Sequence, residues 1–119
     1  MRRDMDLGRK ILLELEGEKY DGNSRIYELP VIDDFSDDEI EYNVGLLQEA
    51  GLLLAREPFD GSPLMPQKLT WQGHEFLDAA RDQNVWNQAK KTISERGGTL
   101  TFDVLKAVLT QLTRQAVGL

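Results

Sequence analysis

Cysteine is absent from the 119 residues of this chain, and histidine occurs once, at position 74. Without thiols the chain can form neither a disulfide framework nor a thiolate metal site. The sequence also lacks the apolar run of about 20 residues that a membrane-spanning helix needs. Its charged N-terminus is not followed by the apolar segment of a signal peptide. These absences predict a soluble, cytoplasmic protein without a membrane segment.

Basic residues are scarce in the middle of the chain. The formal net charge is −7, and residues 21–60 contain two basic side chains against eleven acidic ones. Residues 26–55 contain no lysine, arginine or histidine. Because Lys and Arg contacts to phosphates supply nearly all non-specific DNA affinity, this acidic stretch disfavours the approach of a nucleic acid backbone.

The acidic stretch also contains the clearest structural signal, SDDEIEYNVGLLQEAGLLLA at residues 36–55. Ser36, followed three residues later by a glutamate, fits a capping box, and Ile40, Val44 and Leu47 recur at helical spacing. Gly51 predicts the end of this helix, because glycine closes a helix end in the left-handed conformation most easily. The three leucines that follow predict a strand. This order is typical of the second helix of a helix-turn-helix that leads into a β-wing.

The remaining elements follow from the same local rules. A helix over residues 4–16 opens the chain, and an edge strand limited by Pro30 is predicted over residues 26–32. Proline density predicts a loop over residues 56–67, with a returning strand at residues 68–69. Helices are then predicted over residues 71–81, 85–95 and 101–116, with Thr70 and Thr101 as caps.

Together these elements predict a mainly α fold with a small β-wing, a winged helix-turn-helix with additional C-terminal helices. Residues 1–82 would form the winged-helix core, and residues 83–119 a helical extension, in a single domain overall. The extension would pack on the core or lie at a dimer interface. The apolar stripe from Thr101 to Ala116 favours a homodimer through this helix, and folding back onto the first helix is the alternative.

Four segments carry a resemblance to a known family: RRDMDLGRKILLELE, EYNVGLLQEAGLL, LTWQGHEFLDAARDQNVW and GGTLTFDVLKAVLTQL. The chain resembles, over nearly its whole length, a family of small bacterial and prophage-borne proteins catalogued as a domain of unknown function. The resemblance implies a winged-helix fold and a mobile-element setting, with no established activity. In the family pattern a branched aliphatic residue is usual where this chain has Gly8, and histidine is common where it has Asn43.

No group of residues predicts catalysis. His74 has no second imidazole or thiolate to share a metal with, and the hydroxyl residues lack a pattern that pairs a nucleophile with a base. The carboxylates of residues 33–41 lack the spacing of a calcium loop and indicate a solvated face that caps a helix. We therefore predict no enzymatic activity, no metal and no cofactor. Trp71 and Trp86 fall at helical spacing among apolar residues, which predicts core packing.

Two non-enzymatic functions fit the predicted fold. In the first, which the charge distribution favours, an acidic face docks onto a basic surface of a phage or host protein through Asp37, Asp38, Glu41, Gln48 and Glu49. In the second, residues 40–50 are the recognition helix of a DNA-binding transcriptional regulator. Its contacts would be Asn43 and Gln48 on base edges, from a shared exposed arc, and Arg56, Gln67 and Lys68 on phosphates.

Overall fold

Helices make up most of the architecture. The computed structural model describes residues 1–18, 29–57, 61, 64–116 and 118. The elements in chain order are helices α1 (Met5–Gly17) and α2 (Asp37–Glu49), strands β1 (Leu53–Arg56) and β2 (Met65–Leu69), and helices α3 (Trp71–Ala80), α4 (Gln83–Glu95) and α5 (Phe102–Ala116). The prediction of a mainly helical fold with a small antiparallel sheet is confirmed.

Helix α1 begins at an aspartate cap and lies against α2. The Asp4 carboxylate accepts a hydrogen bond from the Leu7 amide at 3.0 Å, which satisfies one of the free amides of the first turn. Gly8 lies in the interior of this helix, where glycine costs about 1 kcal/mol relative to alanine. A Cβ added at Gly8 would lie 3.4 Å from Leu47 Cδ2 of α2. The glycine therefore allows the two helices to approach each other closely.

Helix α2 is one uninterrupted helix that begins directly after Ser36. The predicted capping box is present: Ser36 Oγ accepts from the Glu39 amide at 3.2 Å, and Glu39 Oε1 accepts from the Ser36 amide at 3.3 Å. At the other end, Gly51 has a φ of 77°. The Leu52 amide donates back to the Leu47 carbonyl at 3.0 Å, which closes the helix end in a Schellman motif. The prediction that Gly51 ends this helix is confirmed.

Strands β1 and β2 form an antiparallel hairpin directly after α2. Leu53 pairs with Leu69 and Leu54 with Lys68, and the register then shifts so that Ala55 lies opposite Pro66. The prediction that residues 65–67 belong to a loop is wrong, since β2 begins at Met65. Proline has no amide hydrogen for a ladder, and it is tolerated here because the ladder is irregular at this pair and both strands are edge strands.

The strand predicted over residues 26–32 is not formed at the residues of this range that the structure describes. Residues 29–32 have no regular structure, and residues 26–28 lie outside the described residues. Instead of pairing, Ile32 buries its side chain and accepts a hydrogen bond from the Phe35 amide at 3.3 Å. Asp34 turns the chain with a φ of 73°, a conformation that aspartate adopts more readily than most residues.

The chain forms two compact units, Met1–Glu75 and Phe76–Leu119. The first unit contains α1, α2, the hairpin and the first turn of α3. Its buried side chains come from all of these elements except the turn, and include Leu7, Ile11, Leu12, Ile40, Val44, Leu53 and Leu69. The predicted stripes of α1 and α2 therefore face this core.

The second unit has its own aromatic and aliphatic core, to which α3 contributes from Phe76 onward. The boundary predicted after residue 82 stays a prediction. Phe76 packs edge-on against Trp86, with ring centroids 6.3 Å apart, and lies 5.2 Å from Phe102. Asp82 caps α4 by accepting from the Val85 amide at 3.0 Å, so α4 begins two residues earlier than predicted. The predicted Thr101 cap of α5 is confirmed by a hydrogen bond from the Val104 amide at 3.2 Å.

The prediction that both tryptophans lie in a core is wrong for Trp71. Trp86 is 1% exposed, but Trp71 is 77% exposed. The buried positions of α3 are residues 73, 76, 77 and 80. With about 3.6 residues per turn, position 71 falls with residues 75 and 78 on the opposite side of the helix. There the indole Nε1 donates to Glu75 Oε1 at 2.7 Å.

Candidate docking groove on helix α2

A shallow groove runs along the side of α2 that does not face α1. Eight of its lining residues are either acidic or apolar, and the remaining two are Gly45 and Gln48. We call this surface the α2 groove. The acidic residues are Asp38, Glu41, Glu49 and Glu57, and the apolar residues are Met1, Tyr42, Leu46 and Leu64.

The acidic residues form the rim of the α2 groove and come from two elements. Asp38, Glu41 and Glu49 project from α2, and Glu57 directly follows β1. No lysine or arginine is among the described residues that line the groove. Its four carboxylates would attract a positively charged ligand.

The apolar residues of the α2 groove are only partly covered. Tyr42 is 42% exposed, and Leu46 and Leu64 are half-buried. A Cβ added at Gly45 would lie 3.8 Å from Leu64 Cδ2, so the Leu64 side chain lies over this glycine. Leu64, which directly precedes β2, therefore packs against α2 at this position. A large apolar ligand group could bury surface against these side chains.

Two side chains of α2 connect the helix to the hairpin backbone. Gln48 Oε1 accepts a hydrogen bond from the Ala55 amide, beside the irregular pair of the ladder. Glu41 Oε1 accepts from the Leu64 amide at 3.3 Å. Both bonds hold α2 against the hairpin segment that supplies Glu57 and Leu64 to the groove.

The residues predicted for protein docking lie close together with one exception. Asp38, Glu41, Gln48 and Glu49 all line the α2 groove. Asp37 is exposed in the first turn of α2 but does not line it.

The groove also contains residues that the sequence reasoning missed, namely Tyr42, Leu46, Glu57 and Leu64. A signal was available for the first two. They are large apolar residues on α2 that fall outside the stripe of residues 40, 44 and 47. No local pattern relates Glu57 and Leu64 to the helix, because they reach it only through the pairing of the hairpin.

Asn43 is not on the exposed arc that was predicted for it, and this part of the DNA-binding prediction is wrong. Its side chain is 3% exposed. Oδ1 accepts from the Asp4 amide at 2.9 Å, and Nδ2 donates to the Glu39 carbonyl at 2.9 Å and to the Arg2 carbonyl at 3.4 Å. Around a helix of about 3.6 residues per turn, position 43 lies next to position 47 at the edge of the buried stripe, so its side chain can turn inward. Asn43 joins α2 to the segment that precedes α1.

The other residues predicted for DNA contact lie on the hairpin and on α2. Arg56, Gln67 and Lys68 are exposed on the hairpin, and Lys68 lies opposite the exposed Leu54. Gln48 is half-buried and its carbonyl oxygen is bonded to the hairpin. With Asn43 buried, neither side chain that was predicted to read bases is a free exposed group. The hairpin retains two cations, Arg56 and Lys68, that could meet phosphates.

His74 is exposed on α3. Across the described residues, no cluster of three or more His, Cys, Asp or Glu side chains could hold a metal ion. Within the same part of the chain, none of the helices is both long enough and apolar enough to cross a membrane.

A second shallow depression lies on α5 and differs in character. Its lining is mixed in charge and has no large apolar side chain: Asp103, Lys106, Ala107, Thr110, Gln111 and Arg114. Leu105 and Leu109, which carry the apolar stripe of this helix, are fully buried within one chain. Val104 is exposed and Val108 and Leu112 are half-buried, so these apolar side chains are available to the homodimer predicted through residues 101–116.

Comparisons with known proteins identify a family, and the descriptions of the matches name no activity. A family model described as "Hypothetical protein (DUF2513)" matches residues 2–99. A protein of Haemophilus influenzae described as "Uncharacterized protein" is 36% identical over 120 residues, an alignment that covers 99% of this chain and 100% of that protein. No solved structure matches the chain.

Proposed function

This chain belongs to the family described as "Hypothetical protein (DUF2513)", and we propose that it is a non-enzymatic binding module that recognises a protein partner through the α2 groove. The partner would present a basic surface. A winged helix-turn-helix scaffold is part of the proposal, with β1 and β2 as the wing. The cytoplasmic location and the prophage setting of this module stay predictions.

The observation that carries the proposal is the charge of the α2 groove. Among the residues that the structure describes, four carboxylates line it and no lysine or arginine does. In a DNA-binding winged helix the helix before the wing meets the phosphate backbone, and phosphates would be repelled by this surface. A basic protein surface would instead be steered toward it, because complementary charges raise association rates.

DNA binding is the second candidate, and one observation favours it. Arg56 and Lys68 are both exposed on the hairpin, where a wing could place them on phosphates. Two cations supply little affinity, because specific complexes usually neutralise many more phosphates. We therefore rank this function below protein recognition.

A charge-reversal variant separates the two functions. We suggest Asp38→Lys, Glu49→Lys and Glu57→Lys in one chain, and Glu14→Lys, on the exposed side of α1, as the control. Glu41 stays unchanged because it accepts a hydrogen bond from Leu64. Capture from a DNase-treated bacterial lysate should recover a protein with the wild type and the control, and lose it with the triple variant.

The same three proteins should be titrated with random-sequence duplex DNA at several salt concentrations. Wild-type binding should be weak and nearly independent of salt. Strong wild-type binding with a steep salt slope, reduced by Arg56→Ala and Lys68→Ala, would contradict the proposal and support the DNA-binding regulator.

A further inference from the structure

The α2 groove combines two features that an acidic surface alone would not need. Its rim is acidic, and Tyr42, Leu46 and Leu64 are apolar side chains of the same lining. Tyr42 is among the large apolar residues that remain substantially exposed. An exposed apolar patch rimmed by charges is typical of a protein interaction site, and affinity in such sites comes mostly from large groups buried at the centre.

From this combination we propose that the groove takes a basic peptide segment with a large apolar anchor. The anchor would lie on Tyr42, Leu46 and Leu64, and lysine or arginine residues on both sides of it would meet Asp38, Glu49 and Glu57. This inference rests on the proposed function and names the chemistry of its partner.

Charge complementarity selects this occupant over the others that the groove could receive. A second copy of the chain, paired about a two-fold axis through this groove, would place the same acidic rim opposite itself. Nucleic acids and anionic membrane surfaces carry the same sign of charge as the rim. An uncharged apolar segment would leave the four carboxylates without counter-charges.

The contacts between the two elements that line the groove are also present without a ligand. The hydrogen bonds from the Leu64 amide to Glu41 and from the Ala55 amide to Gln48 hold the hairpin wall against the helix wall. A preformed site avoids part of the ordering cost of association. Glu41 is partly occupied by its bond to Leu64, so the three other carboxylates are the ones available to a ligand.

The test is a selection of peptides from a random library displayed on phage, with the full chain immobilised. Enriched peptides should carry a large apolar residue with lysine or arginine on both sides. A synthetic copy of one enriched peptide should bind Tyr42→Ser about tenfold more weakly than the wild type, a change of about 1.4 kcal/mol. Leu54→Ser removes an equally exposed apolar side chain outside the groove, and it should change the affinity by less than about twofold.

Charge-reversal variants test the role of the acidic residues in the same assay. Glu49→Lys with Glu57→Lys should weaken the peptide by about tenfold or more, and Glu14→Lys should not, since rim charges act on a nearby ligand. If circular dichroism shows that Tyr42→Ser is not folded, Leu46→Ala replaces it with the same expectation.

The outcomes are distinct. Enriched peptides that are basic but lack an anchor, or that bind Tyr42→Ser as tightly as the wild type, overturn this inference and leave the proposed function standing. Enriched peptides without basic residues overturn both. A selection that enriches nothing over the bare support overturns the inference.

Discussion

Gly73 in the first turn of α3 should tolerate no side chain. A Cβ added there would overlap the Leu52 carbonyl oxygen and lie 3.0 Å from its carbonyl carbon. The obstacle is backbone, so no rotamer change can relieve it. Helix α3 would have to move away from the turn after α2, although both segments are held there by Thr70. The Thr70 amide donates to the Leu52 carbonyl at 3.1 Å, and its hydroxyl group donates to the Gly51 carbonyl.

Three effects set the expected change in the free energy of unfolding for Gly73→Ala. Forced overpacking costs about 3 kcal/mol at the upper end of its usual range, which a backbone obstacle favours. Loss of the hydrogen bond between Thr70 and Leu52 costs about 1 kcal/mol. The higher helix propensity of alanine offsets these losses by at most about 1 kcal/mol. We expect the free energy of unfolding to fall by about 3 kcal/mol.

Urea denaturation followed by circular dichroism measures this loss, and Gly45→Ala is the matched control. Gly45 lies inside α2, where an added Cβ meets Leu64 at an ordinary contact distance of 3.8 Å. The control should therefore be stabilised by about 0.5–1 kcal/mol. With a denaturant slope of about 2 kcal/mol per molar, Gly73→Ala should lower the urea midpoint by about 1.5 M. A Gly73→Ala variant as stable as the wild type would refute the close approach of α3 to Leu52.

Three further predictions concern single features. Asn43→Ala should destabilise the chain by about 1–3 kcal/mol in urea, because it removes the hydrogen bonds that this buried side chain makes to the Asp4 amide and the Arg2 carbonyl. The exposed Asn87→Ala should cost about 0.5 kcal/mol or less, and equal losses for the two would contradict the buried role of Asn43. The fluorescence of Trp86→Phe, which leaves only Trp71, should be quenched readily by iodide, whereas that of Trp71→Phe should resist quenching. The opposite order would place Trp71 in the interior. For the homodimer predicted through residues 101–116, light scattering should give twice the chain mass of 13.5 kDa; a monomer mass at high protein concentration would count against it.

The sequence by itself determined the elements and their ends, because these depend on residues close to one another in the chain. Ser36 and Glu39 cap α2 through groups three residues apart, and Gly51 ends it with a backbone conformation that glycine adopts easily. The apolar stripes of α1 and α2 likewise followed from helical periodicity. There were exceptions. The strand predicted over residues 26–32 is not formed at residues 29–32, and α4 begins two residues early, after the Asp82 cap. Pro66 lies in β2, because its position is at an edge where the ladder is irregular.

Only the tertiary structure decided which faces are covered and which side chains meet. Asn43 was expected at the surface and is buried, because the segment before α1 brings backbone groups to it from about 40 residues away. Trp71 was expected in a core and is exposed, because the core of its helix lies on the opposite side. The α2 groove combines a helix with Glu57 and Leu64, which reach it only through the hairpin. Periodicity defines the faces of each element, and the packing of distant elements determines which of those faces remains open to a partner.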